Sequence, residues 1–149
     1  MPASASSAAN VVWDLKDLYA GIDDPQIDRD LQSMQELCTS FSDKYRSLFG
    51  TGRPSVDTLA TALVEYERIC ELMSRLGAYV GLITAADTAN PAHRRLEDRV
   101  RQALVERENQ LTFFDLGWLE LNDAIAAEIA ADPRLANYEH HLSSARRYK

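Results

Sequence analysis

The chain has 149 residues, 46% of them hydrophobic, with 16 basic side chains against 23 acidic ones and a formal net charge of −7. That length supports one core without disulfides or a metal. The acidic balance, with a pI near 4.9, excludes the Lys/Arg surplus that nucleic-acid phosphates demand.

Six glycines and five prolines leave long stretches without a breaker and favour helix over a turn-rich β fold. Residues 1–12 read as a flexible Ala/Ser-rich tail, and residues 13–149 as one helical domain. The tail lacks the charged and apolar regions of a secretory signal and the arginines of a mitochondrial one. No stretch approaches the roughly 18 apolar residues of a bilayer span; even the run 124–131 is split by Glu128. A cytoplasmic chain with neither a membrane nor a nucleic-acid partner is the expectation.

Asp23, Asp24 and Pro25 predict a helix start and the segment 50–54 a stop, placing the first helix over 25–49. Within it Ile27, Leu31, Met34, Cys38, Phe41, Tyr45 and Leu48 alternate spacings of four and three, which draws one apolar stripe along a helix and fits no strand. Ser55 caps a second helix reaching about residue 86. Leu59, Leu63, Tyr66, Cys70, Met73 and Val80 share one line on it, with Ala62, Ile69, Leu76 and Ile83 beside them. So wide a stripe predicts two packing partners, and the short connection makes the first two helices antiparallel neighbours. Gly77 and Gly81 stand one turn apart, where another helix is expected to come close. Cys38 and Cys70 lack CxxC spacing and read as buried reduced thiols, although folding back about the 50–54 loop leaves a bridge open.

Residues 87–90 predict a turn, after which Asn90 and Pro91 restart a helix as cap and first residue. Leu96, Val100, Leu104, Leu111, Phe114, Trp118 and Leu121 continue the period towards residue 122. Glu106-Arg107-Glu108-Asn109-Gln110 interrupts it for a full turn. A solvated face is the preferred reading of that run, with a wet cavity or a contact with another domain as the alternative. A short helix over 123–131 follows. Asp132 and Pro133 then start a last helix, carrying Leu135, Tyr138 and Leu142 and running to the final residue without an ending signal, as expected of a domain cut from something longer. Arg146, Arg147 and Lys149 sit where positive charge favours the carbonyl end of that helix. The fold class is therefore all-α: an elongated antiparallel bundle of about five helices, two or three of them long.

Chemistry is sparse. Zinc on a helix needs two histidines at i and i+4. His140 and His141 are adjacent, about 100° apart around the axis, and His93 opens another helix. There is no GxSxG, no GxGxxG and no phosphate-cradling loop. Carboxylates read as caps, first-turn acids or exposed partners, such as Glu67 with Glu71 and Arg75. No catalytic, cofactor-binding or metal-ligating residue is nominated.

Three segments in order resemble the amino-terminal region of the oligoendopeptidase F family of zinc metallopeptidases, related to thimet oligopeptidase. They are Trp13-Asp14-Leu15-Lys16-Asp17-Leu18-Tyr19 with Asp23-Asp24-Pro25; Ala78-Tyr79-Val80 through Ala86-Asp87-Thr88 into Asn90-Pro91, ending in Leu111-Thr112-Phe113-Phe114-Asp115-Leu116; and Ala131-Asp132-Pro133-Arg134-Leu135-Ala136-Asn137-Tyr138 with His140 to Leu142 and Arg146-Arg147-Tyr148-Lys149. The resemblance spans residues 10–149. It implies a non-catalytic domain forming one wall of a substrate channel in an enzyme that hydrolyses short peptides. Zinc would be held by a HExxH helix and a downstream Glu in a catalytic domain that this chain lacks, so the expected partners are that domain and, through the whole enzyme, an oligopeptide substrate. Alone the chain is expected to be inactive. The alternatives are a free-standing helical protein-interaction module and an inactive fragment that pairs with a separate catalytic chain.

Overall fold

The computed structural model describes residues 14–147; the expected tail at 1–12 lies outside them, as do Tyr148 and Lys149. Among the described residues the protein is all-α. It consists of α1 (Pro25–Tyr45), α2 (Val56–Ala86), α3 (Pro91–Glu120), α4 (Asp123–Ala130), a 3-10 segment (Pro133–Tyr138) and α5 (Glu139–Arg146), without a strand. The three long helices pack mutually as a bundle. The 3-10 segment lies against α2, and α4 and α5 close onto it at one end.

Side chains chosen for capping start the helices. Asp24 accepts from Gln26 N at 2.9 Å, Asn90 from Ala92 N at 2.9 Å, and Ser55 caps α2 through Thr58 N. Each fills a donor that the first turn leaves without a helical partner. Asp132 caps the 3-10 segment, and Arg134 folds back onto it; these hydrogen bonds hold the Asp132 carboxyl down at about 2.

The expected stripe of α1 faces the core: Ile27, Met34, Cys38, Phe41 and Tyr45 are buried, with Leu31 and Leu48 half-buried. α1 stops at Tyr45 rather than residue 49. Beyond it the chain tightens into i+3 turns, with Leu48 N donating to Tyr45 O at 2.9 Å and Gly52 N to Phe49 O at 3.0 Å. Gly52, at φ 73°, supplies the left-handed turn. This detour swings Phe49 onto Phe114, their centroids 5.6 Å apart, over Gly117. A Cβ there would lie 2.2 Å from Phe49 Cδ2. Gly117→Ala is therefore expected to evict the Phe49 ring and destabilise the fold by about 1–3 kcal/mol, measurable by urea denaturation. Gly77 likewise admits α3, since a Cβ on it would stand 3.3 Å from Leu104 Cδ1.

By length and composition α2 is apolar enough to cross a membrane, which corrects the expectation that no stretch comes near. In the fold it packs against both α1 and α3, where Leu59, Leu63, Ile69, Leu76, Val80 and Ile83 are buried.

The last predicted helix is in fact two pieces. A 3-10 turn sets residues i and i+3 on one side, and this aims Leu135 and Tyr138 together at α2; Leu135 is fully buried, and Tyr138 Oη donates to Glu67 at 2.9 Å. α5 then ends at Arg146. The positive charge expected at this helix's own carbonyl end instead serves α3. Arg146 donates to the carbonyls of Trp118, Leu119 and Leu121 and to Asp123, leaving only 12% of its side chain exposed. Trp118 Nε1 returns a bond to Leu142 O at 3.0 Å.

Candidate functional site

An aromatic cluster joins the three long helices. Phe41 of α1 meets Phe114 of α3 edge-on at 5.2 Å, and Tyr66 of α2 stacks on Phe114 at 5.0 Å. Tyr66 is the polar tip of that cluster, its hydroxyl donating to Asp115 at 3.1 Å. Tyr66, Cys70 and Met73 were predicted on the same core line as Leu59 and Leu63, yet all three are half-buried. Tyr66 and Met73 pack against the core, and with Cys70 they also line a groove. The groove comprises two hollows that share Tyr66 and Cys70: one of about 340 Å³ beside α3 and one of about 280 Å³ beside the 3-10 segment.

The electrostatics of this groove argue against nucleophilic chemistry. Burial, then the Asp115 charge, raises the Cys70 thiol above its ordinary value, so the thiolate that would attack is disfavoured. Burial and the same carboxylate push the Tyr66 phenol far up. Cys38, fully buried, is pushed up to about 11 by burial. Both thiols are free, and Cys70 is less buried than expected.

These shifts predict alkaline instability. The folded chain keeps protons that an unfolded one releases from the ordinary values of 9.0 for Cys and 10.0 for Tyr, since Cys38 rises to about 11 and Tyr45, by burial and its bond to Glu65, to about 12. Raised folded values give stability that is whole below the unfolded ones and drains away as pH climbs through the folded ones. The urea midpoint is expected to fall steadily from pH 9 to about 12. A flat profile would contradict it.

Of the three histidines only His141 reaches the groove, lining its hollow beside the 3-10 segment. His93 Nδ1 lies 3.1 Å from Ile83 O and ties the start of α3 to the end of α2; His140 and His141 are exposed on α5. Among the described residues no three His, Cys, Asp or Glu side chains are grouped to hold a metal. The Glu106–Gln110 run divides: Glu106, Glu108 and Asn109 are exposed, whereas Arg107 and Gln110 turn inward. Arg107 donates to Gln110 at 3.0 Å, and Gln110 reaches Thr39 of α1 at 3.3 Å. Glu106 and Arg107 also line a polar cleft of about 530 Å³ between α1 and α3, so part of the interrupted stripe bridges helices. Arg75 does not pair with the acids near it on α2; it donates to Leu18 O at 2.6 Å and covers the Tyr19 ring.

One buried acid escaped the sequence reading. Asp30 accepts from Tyr19 Oη at 2.5 Å and from Gln26 Nε2 at 2.7 Å. It ties the segment before α1 to the bundle and is a structural group. No local pattern signalled this pairing, because no aromatic residue lies within ten positions of Asp30. Compared with known protein families, curated proteins and solved structures, the chain matches no family model, no curated protein and no solved structure.

Proposed function

We propose that this chain is the non-catalytic, channel-wall domain of a cytoplasmic zinc oligoendopeptidase that hydrolyses short peptides. The ordered run of oligoendopeptidase F-like segments across residues 10–149 carries the reading. The long helices lend it physical support: α2 has 31 residues and α3 has 30, about 45 Å each, a length suited to walling an extended peptide. The groove at Tyr66 and Cys70 crosses α2. Zinc in the parent enzyme would polarise the scissile carbonyl and activate water. The described residues do not fit such a site, because the adjacent His140 and His141 diverge and no three His, Cys, Asp or Glu side chains converge among them; no chemical step is assigned to them.

The test is direct. The purified chain, given zinc and a quenched fluorogenic peptide, is expected to show no turnover and to retain no stoichiometric metal. Zinc-dependent hydrolysis by these 149 residues would overturn the proposal.

A second reading, a helical interaction module, is favoured by one observation. Among the described residues only four large apolar side chains are exposed: Val64, Leu82, Val105 and Leu116. A docked catalytic half would be expected to cover a continuous apolar patch.

A further inference from the structure

We propose that the groove crossing α2 at Tyr66 and Cys70 receives a short basic peptide segment in which Arg or Lys flanks an apolar side chain. It rests on the channel-wall reading for taking a peptide as the occupant, and it adds the class of peptide.

The groove has an apolar floor, formed by Leu63 and Leu111 with the ring of Tyr66, and a rim of three carboxylates: Glu67, Glu108 and Asp115. Neither hollow is lined by a Lys or an Arg, and His141 is the one imidazole among their lining residues. None of the three carboxylates takes part in an ion pair among the described residues. Asp115 accepts from the Tyr66 phenol and Glu67 from the Tyr138 phenol. A carboxylate offers about four acceptor sites, so each keeps capacity for further donors.

An acceptor-rich rim without a Lys or Arg of its own favours a ligand that brings charged donors. Guanidinium and ammonium groups do so, and their aliphatic stems can lie along an apolar floor while the heads reach the carboxylates. The two hollows, sharing Tyr66 and Cys70, supply adjacent seats for a cation and its apolar neighbour. An acidic peptide would meet three uncompensated like charges.

The experiment is a fluorescence-anisotropy titration of the 149-residue chain with labelled peptides of one length, an Arg-Leu-Arg type against a Glu-Leu-Glu type. The basic peptide is expected to bind about tenfold tighter or better, a difference that shrinks as salt is raised. The double variant Glu67→Gln with Asp115→Asn keeps side-chain size and still accepts the phenol protons, so helicity should hold by circular dichroism while affinity for the basic peptide falls about tenfold. Glu108→Gln, which touches no phenol, should weaken binding in the same direction. Bound basic peptide should also shield Cys70 from a thiol reagent, with buried Cys38 inert throughout. Equal binding of both peptides, affinity unchanged in folded variants, or an unshielded Cys70 would overturn the inference. The two failures separate cleanly: a peptidase-encoding frame without peptide selectivity removes the groove assignment alone, whereas selective binding by a chain with no catalytic continuation removes the channel-wall reading alone.

Discussion

Phe41→Ala is expected to destabilise the protein by about 3–5 kcal/mol, the range for emptying a buried aromatic site. Phe41 is fully buried and meets rings from all three long helices: Tyr45 on its own helix, Tyr66 on α2, and Phe113 and Phe114 on α3. Its removal leaves a cavity between three helices that cannot all close on it at once. Chemical denaturation should show the loss as a lower midpoint with a nearly unchanged slope. A loss below about 1 kcal/mol would mean that the cluster collapses freely and is not the keystone described here.

Arg146→Ala is expected to cost about 2–4 kcal/mol, because the guanidinium serves several buried or half-buried carbonyls at once. α3 ends at Glu120 with no basic residue in its last turn, so its terminal carbonyls depend on donors from elsewhere. Arg146 supplies them from α5, and its guanidinium also faces the Trp118 ring at 5.7 Å. The variant should loosen the α4–α5 end first, raising amide exchange there while the three-helix bundle holds. Lys at this position should restore only part of the loss, since an ammonium lacks the planar fork that reaches several carbonyls. Full retention of stability in Arg146→Ala would contradict this capping role.

The bundle was legible because its signals are local. The stripe from Ile27 to Leu48 and the caps at Asp24, Ser55, Asn90 and Asp132 need only neighbouring residues to be read. What escaped depends on distance. Phe49 leaves the helical path for a gap that Gly117 opens far along the chain, and no window around Phe49 contains that gap. Arg146 reads as a helix-end charge until α3 is seen beside it. Leu135 and Tyr138 fit an α-helical period nearly as well as a 3-10 one; contact with α2 decides between them. The groove was hidden for the same reason. Periodicity places Tyr66, Cys70 and Met73 on the inner line of α2, but whether that line is filled or open depends on how closely α3 and the 3-10 segment approach.

These helices are proposed to serve an enzyme whose chemistry lies outside them. Sequencing the coding frame past the codon for Lys149, paired with the intact mass of the endogenous protein, tests it most directly. A continuing frame with a His-Glu-x-x-His helix is expected, with a mass several times the 16.7 kDa of this chain. A stop codon after Lys149 with a mass of 16.7 kDa would contradict it, leaving a helical module that acts through a binding partner.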